Sequence, residues 1–129
     1  MSTVNKNMNV LIVDDYKTML RIIGNLLNQL GFKNIDEATD GGEAFNKLKD
    51  KEYGLIISDW NMEPVSGYDF LVKVRADEKY KSIPFVLVTA ESKTENVIAA
   101  KKAGVSNYIV KPFNAQTLKM KLSAVLGPF

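Results

Sequence analysis

Leu55-Ile56-Ile57-Ser58-Asp59-Trp60-Asn61 decides how the chain is read. Its first four residues have the near-continuous apolar character of a strand covered on both faces, and the run ends at an acid. No positive partner for Asp59 lies within the run, so the carboxylate is expected to be displayed at the strand's carboxyl end. In an open parallel sheet, that end is where ligands and chemistry gather. Other apolar runs end in the same way. Asn9-Val10-Leu11-Ile12-Val13 stops at Asp14 and Asp15, Phe85-Val86-Leu87-Val88 at Thr89, and Tyr108-Ile109-Val110 at Lys111. Three acids, a hydroxyl and a cation thus fall at strand ends, and the pattern predicts that they converge.

Working outward, helical stripes alternate with these runs. Met19, Ile22, Ile23, Leu26, Leu27 and Leu30 have the spacing of one apolar helix face, and Gly31 follows where a helix stop favours glycine. Asn34 to Ala38 is more polar and reads as an edge strand. Asp40-Gly41-Gly42 reads as a turn, after which Ala44, Phe45 and Leu48 mark a second helix. Phe70, Leu71 and Val74 mark a third helix. Pro84 opens the fourth strand, where its missing N–H is tolerated. Val97, Ile98, Ala100 and Ala103 mark a fourth helix, stopped by Gly104. Leu118, Leu122, Val125 and Leu126 mark a fifth. Strand and helix repeated five times predict an α/β fold, a doubly wound five-stranded parallel sheet covered by helices on both faces.

The 129 residues suit one core and one domain, with no separate output domain expected. The chain has no cysteine and no histidine, which removes disulfides, thiolate sites, the commonest general base and the commonest transition-metal ligand. Any metal must be a hard cation held by oxygen. No run approaches the ~20 apolar residues of a membrane span, and the first seven residues lack the apolar segment of a signal peptide, so a cytoplasmic location is expected. The net charge of +2 is too small to argue for nucleic acid. It is unevenly spread: up to Pro64 there are 7 basic and 10 acidic residues, and beyond it 10 and 5. A solvated surface explains any single lysine of the basic half. A docking face for an acidic or phosphate-bearing partner is the sharper alternative.

Taken singly, the strand-end residues are ordinary. Aspartate is a favoured helix N-cap, and a lysine at a loop is usually solvated. Taken together, two adjacent acids on one loop and a third on another form a site for Mg2+, which takes one or two carboxylates, water and a phosphate oxygen. Such a cation would let Asp59 act as a nucleophile toward phosphorus, with Lys111 and the Thr89 hydroxyl holding phosphoryl oxygens.

The stretches Val13-Asp14-Asp15, Ile57-Ser58-Asp59-Trp60-Asn61-Met62, Val88-Thr89-Ala90-Glu91 and Tyr108-Ile109-Val110-Lys111-Pro112-Phe113 resemble the receiver domains of two-component response regulators. Asp59-Trp60-Asn61-Met62 and Asn96-Val97-Ile98-Ala99-Ala100 are similar to the single-domain chemotaxis branch of that family. The resemblance runs from about Val10 to the last helix. It implies a flavodoxin-like (βα)5 sheet of strand order 2-1-3-4-5. It implies that Asp59 is the phosphoacceptor, that Asp14, Asp15, Asp59 and the Asn61 carbonyl hold Mg2+, and that Thr89, Ala90 and Lys111 contact the phosphoryl group. Thr89 and Tyr108 would form the switch, and Lys93, Tyr108, Val110 and Lys121 the output face. A cis Lys111-Pro112 bond is implied as well. The implied partners are a CheA-like histidine kinase as donor and a FliM-like flagellar motor switch protein as output, with no nucleic acid or membrane partner and a monomeric chain. The protein would be a switch and not a metabolic enzyme, catalysing only its own phosphorylation and dephosphorylation. The chain departs from the family pattern at Met62-Glu63-Pro64, where proline falls one place later than usual and an acid takes its position.

Three rival readings stand beside this one. An aspartate-nucleophile phosphatase needs a second acid two residues after the nucleophile, where this chain has Asn61. A flavin carrier needs a glycine- and hydroxyl-rich phosphate loop, where this chain has Asp14-Asp15-Tyr16-Lys17. A stand-alone receiver that drains phosphate without motor output stays open.

Overall fold

The computed structural model describes residues 4–90 and 94–129. Ten elements alternate: β1 (Asn9–Val13), α1 (Lys17–Gln29), β2 (Asn34–Ala38), α2 (Gly41–Lys47), β3 (Leu55–Asp59), α3 (Gly67–Ala76), β4 (Phe85–Thr89), α4 (Thr94–Ala103), β5 (Asn107–Val110) and α5 (Ala115–Leu126). All strand pairs are parallel and the order is β2-β1-β3-β4-β5. The fold class and strand order expected from the sequence are both found. β2 lies at the edge, and its partly exposed pattern is that of a strand with one unpaired side.

The two-residue period of the strands sorts the core into two layers. Val10, Ile12, Leu55, Ile57, Val86, Val88 and Ile109 face one side, where they meet Leu20, Ile23 and Leu27 of α1 and Leu118 and Leu122 of α5. Leu11, Val13, Ile56, Phe85 and Leu87 face the other, against Ala44 of α2, Phe70, Leu71 and Val74 of α3 and Ala100 of α4. Every residue of β3 and β4 is buried, so these strands are the centre of the sheet.

Helix starts follow the local chemistry. Asn114 accepts a hydrogen bond from the Thr117 N–H at 2.8 Å, and Ser66 one from the Asp69 N–H at 3.1 Å, each satisfying a first-turn donor. The Asp40-Gly41-Gly42 stretch differs from the expected turn. Asp40 is the N-cap of α2, accepting from the Gly42 and Glu43 N–H groups, and both glycines lie in the helix. A Cβ on Gly41 would fall 2.7 Å from Val65 Cγ1 and 2.9 Å from Phe70 Cβ, so tight packing, and not a turn, selects glycine there.

Register carries the strand ends to one edge. Val13 pairs with Ser58, Asp59 with Val88, and Thr89 with Val110. The residues that follow β1 and β5 therefore emerge beside the last residues of β3 and β4.

Candidate functional site

Asp14 and Asp15 follow β1, Asp59 and Thr89 end β3 and β4, and Lys111 follows β5. One carboxylate oxygen from each of Asp14, Asp15 and Asp59 lies within 4.8 Å of the others. The Lys111 ammonium donates to Asp59 Oδ1 at 2.9 Å and reaches Asp14 Oδ2 at 3.4 Å. Asp59 is only 7% exposed and Asp14 1%. The Asp59 carboxylate thus stands at the strand's carboxyl end, as the sequence suggested, with little of it reaching solvent. It is buried against a cation from a different strand, which no local stretch reveals.

The backbone around the acids is tied down. The Asp14 carboxylate accepts from the Tyr16 N–H at 2.9 Å, and the Ser58 hydroxyl donates to the Asp59 carbonyl at 3.0 Å. The Trp60 N–H donates to the Val88 carbonyl, the Gly67 N–H to the Trp60 carbonyl, and the Lys111 N–H to the Thr89 carbonyl, at 2.8 to 2.9 Å. The Lys111-Pro112 bond is cis, as the resemblance implied, and so is Glu63-Pro64.

Electrostatics follow from this crowding. Burial pushes the Asp59 carboxyl above its ordinary value, the Lys111 contact pulls it back, and Asp15 adds repulsion. Burial likewise raises Asp14, opposed by the Tyr16 N–H, with Asp59 adding repulsion. For Lys111, burial favours the neutral amine, but contacts with Asp59 and Asp14 outweigh it and hold the ammonium more firmly than usual. Among the described residues, three clustered carboxylates against one ammonium leave excess negative charge. Donors made only of oxygen and short of positive charge fit a hard divalent cation. The residues present to hold it are Asp14, Asp15 and Asp59. Asn61 lines the adjoining cleft of about 370 Å³ with Asp15, Trp60, Met62, Glu63 and Ser66.

The remaining predicted residues fall into two groups. Thr89 is buried at the end of β4, next to Ala90, which is exposed. Tyr108 pairs with Leu87, two residues before the Thr89–Val110 pair, which puts Tyr108, Val110, Leu87 and Thr89 on one face of the sheet. The Lys121 ammonium stands 4.9 Å from the centre of the Tyr108 ring. Lys93, assigned to the same output face, lies outside the described residues, as does Glu91.

Two residues of the site went unnoticed in the sequence. Ser58 braces the Asp59 carbonyl from within the strand. Gly67, the first residue of α3, passes so close to Asp59 that a Cβ on it would fall 1.9 Å from the Asp59 carbonyl oxygen. Serine inside an apolar run was a weak signal, and the glycine carried none without the fold.

Comparison with known proteins places these features in a family. Residues 10–123 match the family model of the response regulator receiver domain. The chain is 51% identical over 122 residues to the chemotaxis protein CheY-3 of Vibrio cholerae, covering 95% of this chain and 94% of that protein. It is 49% identical over 118 residues to the chemotaxis protein CheY of Pseudomonas aeruginosa, covering 92% and 95%. Its structure is similar to that of the chemotaxis response regulator CheY4 of Vibrio cholerae, with a TM-score of 0.86, 34% identity, and coverage of 93% and 99%. It also resembles the receiver domain of a sensor histidine kinase from Pseudomonas aeruginosa, with a TM-score of 0.84 and 25% identity over 94% and 98% of the chains. That structure has a magnesium ion coordinated in its active site cleft.

Proposed function

We propose, for a chain that belongs to the response regulator receiver domain family and is CheY-like within it, that Asp59 receives the phosphoryl group and that the signal goes to the flagellar motor switch. The observation carrying the first half is the contact of Lys111 with Asp59 at 2.9 Å inside a cluster of three carboxylates. The second half rests on the similarity to chemotaxis regulators.

The chemistry follows from the residues. Asp59 is the nucleophile, and its burial keeps water from solvating the attacking oxygen. Lys111 holds Asp59 in place and is positioned to follow the charge onto a phosphoryl oxygen. The Thr89 hydroxyl ends the neighbouring strand and supplies a further donor. Mg2+, when bound by Asp14, Asp15 and Asp59, supplies positive charge to offset the carboxylates and the incoming phosphoryl group. The protein turns over no separate substrate beyond the donor and its own acyl phosphate. With no histidine in the chain, the phosphohistidine belongs to another protein, a CheA-like kinase. The chain acts as one domain and as a monomer. Among the described residues, no helix is long and apolar enough to cross a membrane, and a cytoplasmic place of action is part of the proposal.

Cation binding has a thermodynamic consequence. A ligand bound only by the folded state adds about 1.4 kcal/mol at roughly tenfold excess over its Kd, or roughly 5 °C in melting temperature for a domain this size. Millimolar Mg2+ is expected to produce such a rise, and Asp15→Ala to remove most of it. Asp15→Ala should also leave the metal-free protein as stable or more so, because it relieves like-charge repulsion. Equal Mg2+ shifts in both proteins, read by calorimetry, would place the cation elsewhere.

Output is tested through Thr89. The phosphoryl group draws the Thr89 hydroxyl toward it, and the Tyr108 ring turns inward and reshapes the surface beside Lys121. A shift between two states is limited by the differential affinity that drives it. A FliM-like switch peptide should therefore bind better when Asp59 carries beryllofluoride. Thr89→Ala should lose at least about half of that gain, in free energy of coupling of about 1–3 kcal/mol, while still being labelled on Asp59. An undiminished gain in Thr89→Ala would remove this hydroxyl from the pathway. No gain in the wild type would favour the reading as a phosphate sink, which a receiver domain also allows.

A further inference from the structure

The cleft beside the acid cluster has a second acid, the exposed Glu63, in its lining. Its lining includes Asp15, one of the clustered carboxylates, and Glu63, together with Trp60 and the nearly buried Met62. Glu63 is exposed and has no basic partner among the described residues. Any donor entering along this cleft passes its charge. A fixed charge lining a cleft changes the local concentration of charged reactants.

We propose that Glu63 is a specificity residue that discriminates between phosphodonors by charge, disfavouring small dianionic acyl phosphates and sparing N-linked donors whose leaving nitrogen is protonated. The inference rests on Asp59 being the phosphoacceptor. With acetyl phosphate, an Asp59 oxygen forms the new O–P bond, the P–O bond to the acyl group breaks, and acetate leaves with the electron pair. With phosphoramidate, the P–N bond breaks and ammonia leaves with the pair, its protons already in place. The first donor arrives as a dianion and the second as a net monoanion, so repulsion from Glu63 weighs about twice as heavily on the first.

The test measures second-order labelling constants for both donors at saturating Mg2+, with saturation verified by thermal shift. Wild type, Glu63→Gln and Glu63→Asp are compared at low and high salt, with Asp59→Asn as a control in each arm. Glu63→Gln is expected to speed acetyl phosphate about threefold at low salt and phosphoramidate less than about twofold. The gain should fade near 1 M salt, where the Debye length is about 3 Å. Glu63→Asp should behave as wild type. An equal gain with both donors, a gain indifferent to salt, or no gain would each overturn the inference. Label that persists in Asp59→Asn would instead overturn the phosphoacceptor assignment, so the two failures are distinct.

Discussion

Asp59→Asn is expected to take up less than about 1% of the wild-type label from acetyl phosphate with Mg2+ present, a loss of at least ~2.7 kcal/mol of transition-state stabilisation. The amide matches the carboxylate in shape but has no anionic oxygen to attack phosphorus. Lys111 would remain beside it, within reach of Asp14, so the loss would report on the nucleophile and not on a collapsed site. Label sensitive to hydroxylamine should disappear along with the total. Wild-type levels of label on the variant would move the acceptor to another residue.

The same substitution has a stability signature with a definite sign. Burial raises the Asp59 carboxyl in the folded protein despite the contact with Lys111, so the folded state holds that proton more tightly than the unfolded chain. Without divalent cation, stability should therefore be gained as pH falls through the raised folded value toward the ordinary carboxylate range, and lost as pH rises through it. The amide introduced by Asp59→Asn cannot titrate, so the variant's stability should depend less on pH in that window. The part due to Asp14, which is raised as well, should remain.

How much was legible beforehand depends on whether a feature is local. The apolar runs of β1, β3 and β4 are nearly continuous because helices cover both faces of the sheet, and their alternation with helical stripes revealed the class of fold. The strand-end acids, threonine and lysine were legible because a parallel sheet brings its carboxyl ends to one edge whatever the loops do. The depth of Asp59 was not legible. It depends on α3 crossing over it and on Lys111 arriving from 52 positions away along the chain. The N-cap role of Asp40 was missed because its two following glycines imitate a turn, while the first of them, Gly41, is required by the packing of Val65 and Phe70 against it. The tie from Tyr53 to Asp36 at 2.8 Å, shared with Lys51, was likewise invisible, since it joins the segment before β3 to the edge strand.

Gly67→Ala is expected to cost about 2–3 kcal/mol, at the upper end for overpacking, and to lower the melting temperature by roughly 10 °C. Its φ is not among the positive values, so the requirement is for space and not for a special backbone conformation. The new methyl would fall 1.9 Å from the Asp59 carbonyl oxygen, 2.9 Å from its carbon and 3.0 Å from Ser58 Oγ. Two of these are backbone atoms, which cannot turn aside as a side-chain tip can. Nor can α3 retreat freely, because Phe70, Leu71 and Val74 are fully buried and the Gly67 N–H is held by the Trp60 carbonyl at 2.9 Å. Relief must come from shifting Asp59 itself, so labelling should fall along with stability. Gly24→Ala supplies the contrast. It lies inside α1, its Cβ would meet nothing nearer than Ile12 Cδ1 at 3.9 Å, and alanine favours a helix interior by up to about 1 kcal/mol. That variant should be as stable as wild type or more so, and fully labelled. If chemical denaturation ranked the two variants together, the close approach of α3 to Asp59 would not be what demands glycine at position 67.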